Sequence, residues 1–260
     1  MAVIVEIYPD EATWVEEAAA EIGRTVEQAV AHRGAALVAL SGGRTPSAVY
    51  RRLTLSPWRE RLPWAQVQWV WVDERWVNAD HPDSNFGMVW EVLLSKVPVD
   101  RAQIYQISTE GISLEQSVLE YEAKLRSLVA RHGSGLDLAV LGMGADGHTA
   151  SLFPGSPAVA ETQRWVAATH SPAGIRQRIT LTFPLLNATD TVVFLVTGAE
   201  KHPVLEKVLH QSSLPVEEYP AAKVRATGRT IWCIDNDAAK AKDDEYPRGG
   251  RNCEQKYRNE

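Results

Sequence analysis

Short apolar runs rich in Val, Ile, Leu and Ala alternate along this chain with longer stretches in which apolar residues recur every three or four positions. The first pattern belongs to strands covered on both sides, the second to amphipathic helices that do the covering. Strands are expected over residues 3–7, 35–40, 67–72, 136–141, 164–168, 178–182, 191–196 and 230–234. Between the first two, Asp10 is placed to cap a helix whose Trp14, Val15, Ala18, Ile22, Val26, Ala29 and Val30 form one apolar stripe, with Gly34 at its end. Ser113 and Gln116 have the spacing of a capping box ahead of a helix reaching about Arg131, followed by His132 and Gly133. The alternation predicts an α/β fold with a mostly parallel sheet covered by helices on both faces.

Composition narrows the setting. A chain of 260 residues that is 45% hydrophobic can bury a substantial core, as one large α/β domain or as two small ones. Residues 240–260 are polar and are expected to be a disordered tail. No apolar stretch reaches the roughly twenty residues that a membrane span needs, and the N-terminus lacks the basic start and apolar core of an export signal. With only Cys233 and Cys253, one in an apolar run and one in the tail, no disulfide framework is expected, and the cytoplasm is the natural compartment. The net charge of -6 argues against nucleic acid as a partner, and nothing implies a membrane or an obligate protein partner.

Candidate chemistry collects where strands should end. The run GMGADGHTASLFPG from Gly142 to Gly155 places His148 in a glycine-rich turn after an apolar run, the edge at which α/β sheets present ligand-binding loops. SGGRTP, Ser41 to Pro46, follows another strand and precedes a helix, so Gly42 and Gly43 allow main-chain N–H groups to approach an anion. Asp73, Glu74 and Arg75 follow the aromatic strand VQWVWV. Strand alternation would put Asp73 on the side of Trp69 and Trp71 and turn Glu74 the other way, so the two need not act as a pair. Arg178, with Arg176 nearby, and Lys201 are cations suited to a phosphate. Each feature alone has an ordinary reading: a strand-to-helix turn, a solvated acidic turn, helix caps at Ser84 and Asn85, surface cations, a structural histidine.

Several chemistries drop out. GMGADG fits the dinucleotide pattern G-x-G-x-x-G, but PGSP at 154–157 would interrupt the required helix after two turns at most, and Glu161 precedes the next strand instead of ending it. No G-x-S-x-G elbow is present, so a serine hydrolase of the common α/β type lacks its central residue, and no H-E-x-x-H motif or Cys/His metal cluster appears either.

Taken in order, SGGRTP, DERWV at 73–77, SNFGMVWEVLL at 84–94, the histidine run, RITLT at 178–182 and VTGAEK at 196–201 resemble the successive signatures of the 6-phosphogluconolactonase family over about residues 1–235. The resemblance implies a single-domain, Rossmann-like α/β fold over residues 1–239, glucosamine-6-phosphate-isomerase-like, with no metal or organic cofactor, and hydrolysis of 6-phospho-D-glucono-1,5-lactone in the oxidative pentose phosphate pathway. In such a reaction one imidazole can serve as base and then acid, which makes His148 the expected proton carrier, with Asp73 or Asp146 orienting it. The resemblance further implies that Arg75 meets Asp146 or substrate. It also implies that Ser41, Gly42, Gly43, Thr45, Arg178 and Lys201 surround the phosphate, with Arg44 a further possibility. Main-chain N–H groups across 142–147 are expected to face the oxyanion. Related deaminase/isomerases resemble DGHIAFNEP, with a glutamate five residues past the histidine, where this chain has Phe153. A non-catalytic sugar-phosphate sensor would carry a helix-turn-helix, whereas the first helix here is acidic and directly follows a strand.

Overall fold

The structure, a computed structural model, describes residues 2–210 and 217–240. In chain order its first half comprises β1 (Ala2–Tyr8), α1 (Glu11–Arg33), β2 (Ala36–Leu40), α2 (Arg44–Leu53), α3 (Trp58–Arg61), β3 (Val67–Trp71), β4 (Asp73–Arg75), α4 (Asn85–Val92), β5 (Ile104–Tyr105) and α5 (Leu114–His132). The second half adds β6 (Leu138–Gly142), β7 (Val166–His170), β8 (Gln177–Leu181), α6 (Phe183–Leu186), β9 (Thr191–Val196), α7 (His202–His210), β10 (Arg229–Asp235) and α8 (Asn236–Ala239). The call for a tail over 240–260 falls, beyond Lys240, outside the described residues, as does Cys253.

Seven strands form one fully parallel sheet in the order β1-β10-β9-β6-β2-β3-β5. From β2 the chain moves outward through β3 to β5; from β6 it moves outward the other way through β9 to β10. The strand order therefore reverses between β2 and β6, and the crevice beyond the carboxyl ends of those two strands is where an open α/β sheet receives a ligand. Every residue of β2 and β9 is buried, and since neighbours along a strand face opposite ways, both faces of the sheet are covered. Edge strand β1 is half exposed by comparison.

Local signals account for the main helices. Asp10 accepts from the N–H of Thr13 and Gly34 ends α1 in a left-handed conformation, φ 79°. The second cap is half of what its spacing suggested: Ser113 accepts from the N–H of Gln116, but the Gln116 side chain turns outward to Glu120 instead of returning to the cap. Trp14 anchors α1 to the sheet through Nε1 to the carbonyl of Cys233, whose thiol is buried and unpaired.

Two expectations about strands need correction. The segments near 164–168 and 178–182 lie outside the parallel sheet; with β4 they build a separate antiparallel sheet in the order β4-β8-β7, and the first of them begins two residues later than expected. The short strand β5 had no visible sequence pattern. Val72 is the crossing point between sheets: its N–H bonds to Leu40 of the parallel sheet and its carbonyl accepts from Leu181 of the antiparallel one. Alternation along β3 therefore cannot be carried through Val72 to Asp73, which starts a different strand.

Past this crossing, Glu74 is 3% exposed and points into the start of α4. Its Oε1 accepts from the main-chain N–H groups of Arg75 and Asn85, and its Oε2 from the N–H of Phe86 and the Ser84 hydroxyl. Burial nevertheless dominates these donors and pushes the carboxyl from 4.5 up to about 7. A raised native value means that the folded chain holds this proton more tightly than the unfolded one, so the associated stability is present below pH 4.5 and lost as pH rises through about 7. Urea unfolding should therefore show the stability difference between wild type and Glu74→Gln shrinking by on the order of 3 kcal/mol across that interval. A difference that stays flat with pH contradicts the displaced proton.

Candidate active site

The loop after β2 forms one wall of the crevice. Gly43 takes φ 106°, a conformation that favours glycine, and serves as N-cap of α2 without a side chain to occupy the helix end. Tyr50, on the next turn of that helix, pins the loop from beneath: its hydroxyl donates to the Ser41 carbonyl at 3.1 Å and accepts from the Ser41 N–H at 3.2 Å. Among the described residues, the N–H groups of Gly42, Gly43, Arg44 and Thr45 reach no protein acceptor. Several N–H groups at a helix start, with the local dipole behind them, make an anion cradle. Thr45 Oγ1 meets Thr197 Oγ1 at 3.1 Å, and Lys201 lines the same cavity.

The loop after β6 forms the opposite wall. No helix follows GMGADG: the chain closes a tight turn in which Gly144 N–H donates to the His148 carbonyl and Gly147 N–H donates to the Gly144 carbonyl. The dinucleotide reading fails here for want of any helix. Asp146 Oδ1 takes the His148 N–H at 3.1 Å and lies 2.6 Å from its Nδ1. With Nδ1–H directed at the carboxylate, Nε2 is left with its lone pair free to act as a base. Burial tends to raise the Asp146 carboxyl, but the hydrogen bond and charge of His148 outweigh it and hold the group below its ordinary value. Gly144 is a steric requirement of this pair, since a β-carbon there would sit 2.1 Å from His148 Nδ1 and 2.4 Å from Asp146 Oδ1. The Phe153 ring packs on the imidazole with centroids 4.7 Å apart.

Asp73 joins the walls. It is 7% exposed; its Oδ1 accepts from Asn85 Nδ2 at 3.1 Å and its Oδ2 from the Ser151 hydroxyl at 2.6 Å. Ser151 belongs to the histidine loop and Asn85 to the start of α4. The solvated acidic turn is thus excluded, because both Asp73 and Glu74 are buried, each with its own set of donors.

A cavity of about 220 Å³ lies between the walls and is lined by Ser41 through Thr45, Asp73, Arg75, Lys201 and His148. The cradle and the imidazole therefore face one space, smaller than the roughly 300–1,000 Å³ typical of drug-sized ligands and suited to a compact polar molecule. Asp146 stands behind the imidazole, outside this lining. Of the two carboxylates considered for orienting His148, the one in contact with it is Asp146.

Three expectations are narrowed by the geometry. Of the two partners expected for Arg75, Asp146 is not in contact with it; its Nη1 donates to the Asp83 carbonyl at 2.7 Å while the side chain lines the cavity in which a substrate would lie. Arg178 is not in the lining itself; it is buried one strand away, opposite the cavity residue Arg75 in the β4–β8 register, with Nε donating to the Ile175 carbonyl. Burial, and then the neighbouring Arg75 charge, lower its proton affinity. Of the N–H groups across 142–147, those of Gly144 and Gly147 are spent inside their own turn, which leaves the other members of the span as the candidates for an oxyanion. Conversely, Asn85, Met143 and Thr197 line the cavity without having been singled out as site residues. Asn85 was hidden by its position beside Ser84, which is the true cap of α4, accepting from the Gly87 N–H. Among the described residues no group of three or more His, Cys, Asp or Glu is placed to hold a metal ion.

The model for glucosamine-6-phosphate isomerases/6-phosphogluconolactonase matches residues 9–232. A 6-phosphogluconolactonase from Synechocystis sp. is 36% identical over 241 residues, covering 92% of this chain and 98% of its own. One from Homo sapiens is 37% identical, covering 85% and 89%. The crystal structure of a 6-phosphogluconolactonase from Thermotoga maritima superposes with a TM-score of 0.77 at 30% identity, over 90% of this chain and all of its own. A monomeric glucosamine-6-phosphate deaminase reaches 0.76 at 20% identity, over 91% and 98%, a likeness of fold alone. No helix among the described residues is long and apolar enough to cross a membrane. The matched span contains both walls of the crevice, and on these grounds the chain belongs to the glucosamine-6-phosphate isomerase/6-phosphogluconolactonase family.

Proposed function

We propose that this chain is a 6-phosphogluconolactonase, hydrolysing 6-phospho-D-glucono-1,5-lactone to 6-phospho-D-gluconate as a single-domain cytoplasmic enzyme that needs no cofactor or obligate partner. The observation that carries the reading is the single small cavity with an anion cradle on one wall and an Asp146-backed imidazole on the other. The phosphate sits on the N–H groups of 42–45 with Lys201 beside it, and the lactone carbonyl lies toward His148. Nε2 of His148 takes a proton from water as the water oxygen bonds to the carbonyl carbon, and the resulting imidazolium is stabilised by Asp146. Collapse of the tetrahedral intermediate breaks the bond to the ring oxygen, which receives the same proton. Arg75 supplies a fixed cation on the cavity wall for the developing oxyanion. Phe153 favours hydrolysis over deamination, because an apolar ring occupies the place beside His148 where the deaminase pattern has a carboxylate.

Freshly generated 6-phosphogluconolactone, corrected for spontaneous hydrolysis, should be turned over far faster than unphosphorylated gluconolactone. Equal rates on both would remove the cradle from the reaction, and ammonia release from glucosamine-6-phosphate without lactone hydrolysis would favour the deaminase reading. His148→Ala should lose most of kcat while still binding 6-phosphogluconate; near-native turnover would exclude it as the proton carrier. Asp146→Asn keeps the shape but loses the charge behind the imidazole, and kcat should fall about 10²-fold or more with KM little changed. A variant with unaltered kcat would leave His148 acting without Asp146.

A further inference from the structure

The residue between Asp73 and Arg75 has no part in the mechanism above, yet it is the more deeply buried of the two acids at the crossing. Glu74 has both carboxylate oxygens doubly occupied, and three of its four donors, Ser84, Asn85 and Phe86, belong to the start of α4. A carboxylate at that place neutralises otherwise unpaired N–H groups and the positive end of the helix, which locks the first turn of α4 onto β4.

Locking that turn has a consequence at the cavity. Asn85, whose N–H is held by Glu74, sends its Nδ2 back to the Asp73 carbonyl at 2.9 Å and to Asp73 Oδ1 at 3.1 Å. Its Oδ1 packs on Gly42, so closely that a β-carbon at residue 42 would lie 1.8 Å away, and among the described residues this oxygen has no protein hydrogen-bond partner. The contact with the cradle turn is therefore set by whatever fixes Asn85 rather than by a bond of its own. One amide side chain thereby touches both the cradle turn and the carboxylate that holds the histidine loop through Ser151.

We propose that Glu74 is a positioning residue for lactone hydrolysis: by clamping the first turn of α4 it fixes Asn85, and through Asn85 it holds Asp73 and the Gly42 turn in one rigid frame. The inference rests on the lactonase reading and adds to it a residue that never touches substrate. Its displaced proton affinity is consistent with a carboxylate kept in a costly place.

Glu74→Gln preserves size but presents an NH₂ group to two of the four donors, so the α4 turn must shift. Asn85→Ala cuts the link to Asp73 and Gly42 while leaving the clamp. At a temperature where circular dichroism shows every variant folded, each single substitution should lower kcat/KM for the phosphorylated lactone by about tenfold or more. The double variant should be within about twofold of the worse single, since both act along one path. Glu74→Asp, which keeps the charge, should recover part of the loss and takes the place of Glu74→Gln should that variant not fold. A merely structural role would lower Tm while leaving kcat/KM of the folded protein within about twofold of wild type, and that result overturns the proposal. So do losses in the double variant that multiply as independent effects. Absence of lactone turnover by the wild type would instead defeat the lactonase reading, and the inference with it.

Discussion

The arrangement depends on a buried carboxylate at the place where the chain leaves one sheet for another. Asp73 has its two oxygens claimed from opposite directions, by Ser151 of the histidine loop and by Asn85 of α4. A buried ionised group is tolerated only when its hydrogen bonds are satisfied, and removing one partner of such a group is more costly than the bond alone suggests. The start of α4 lies 12 residues from Asp73 and Ser151 lies 78 residues away, so the tie joins the histidine loop to a neighbouring turn it is remote from in sequence. Asp73 is a strut as much as a wall of the cavity.

On that frame the two halves of the site have different physical origins. The cradle is a backbone device, made of N–H groups that a helix start leaves unpaired and that Gly42 and Gly43 leave uncovered. The histidine–carboxylate pair is a side-chain device confined to a few residues, with Asp146 and His148 folded over Gly144 so tightly that no side chain fits beneath them. Topology brings them together: β2 and β6 are adjacent, parallel strands at which the winding of the sheet reverses, so their carboxyl ends share one crevice.

This division explains what the sequence made legible. Strand 191–196 and both ends of α1 follow from periodicity and caps, which are local. The cradle and His148 were visible because glycines in a strand-to-loop transition have few other uses. Asp73 was harder: its strand direction was extrapolated from the tryptophans before it, and periodicity carries no warning that Val72 changes partners between sheets. The choice between Asp73 and Asp146 stayed open for the same reason, since it turns on the closure of an irregular loop. Arg178 shows what a motif leaves out: its register sets it opposite the cavity residue Arg75, and the strand pairing that does so is not visible in the sequence.

Fold likeness does not separate lactone hydrolysis from amine release, because a deaminase shares this architecture. The distinction has to come from what stands beside the imidazole. Hydrolysis of a lactone needs one group that takes a proton and returns it to a leaving oxygen nearby, and a single histidine with a carboxylate behind it is sufficient. Ring opening and amine expulsion place proton demands at more than one position, for which a second carboxylate near the histidine is the natural source. Phe153 occupies that neighbourhood with an apolar ring against His148, at the position where the deaminase pattern carries its glutamate. On the lactonase reading, this aromatic residue in place of the glutamate of DGHIAFNEP is the difference that accounts for hydrolysis rather than amine release on a common fold.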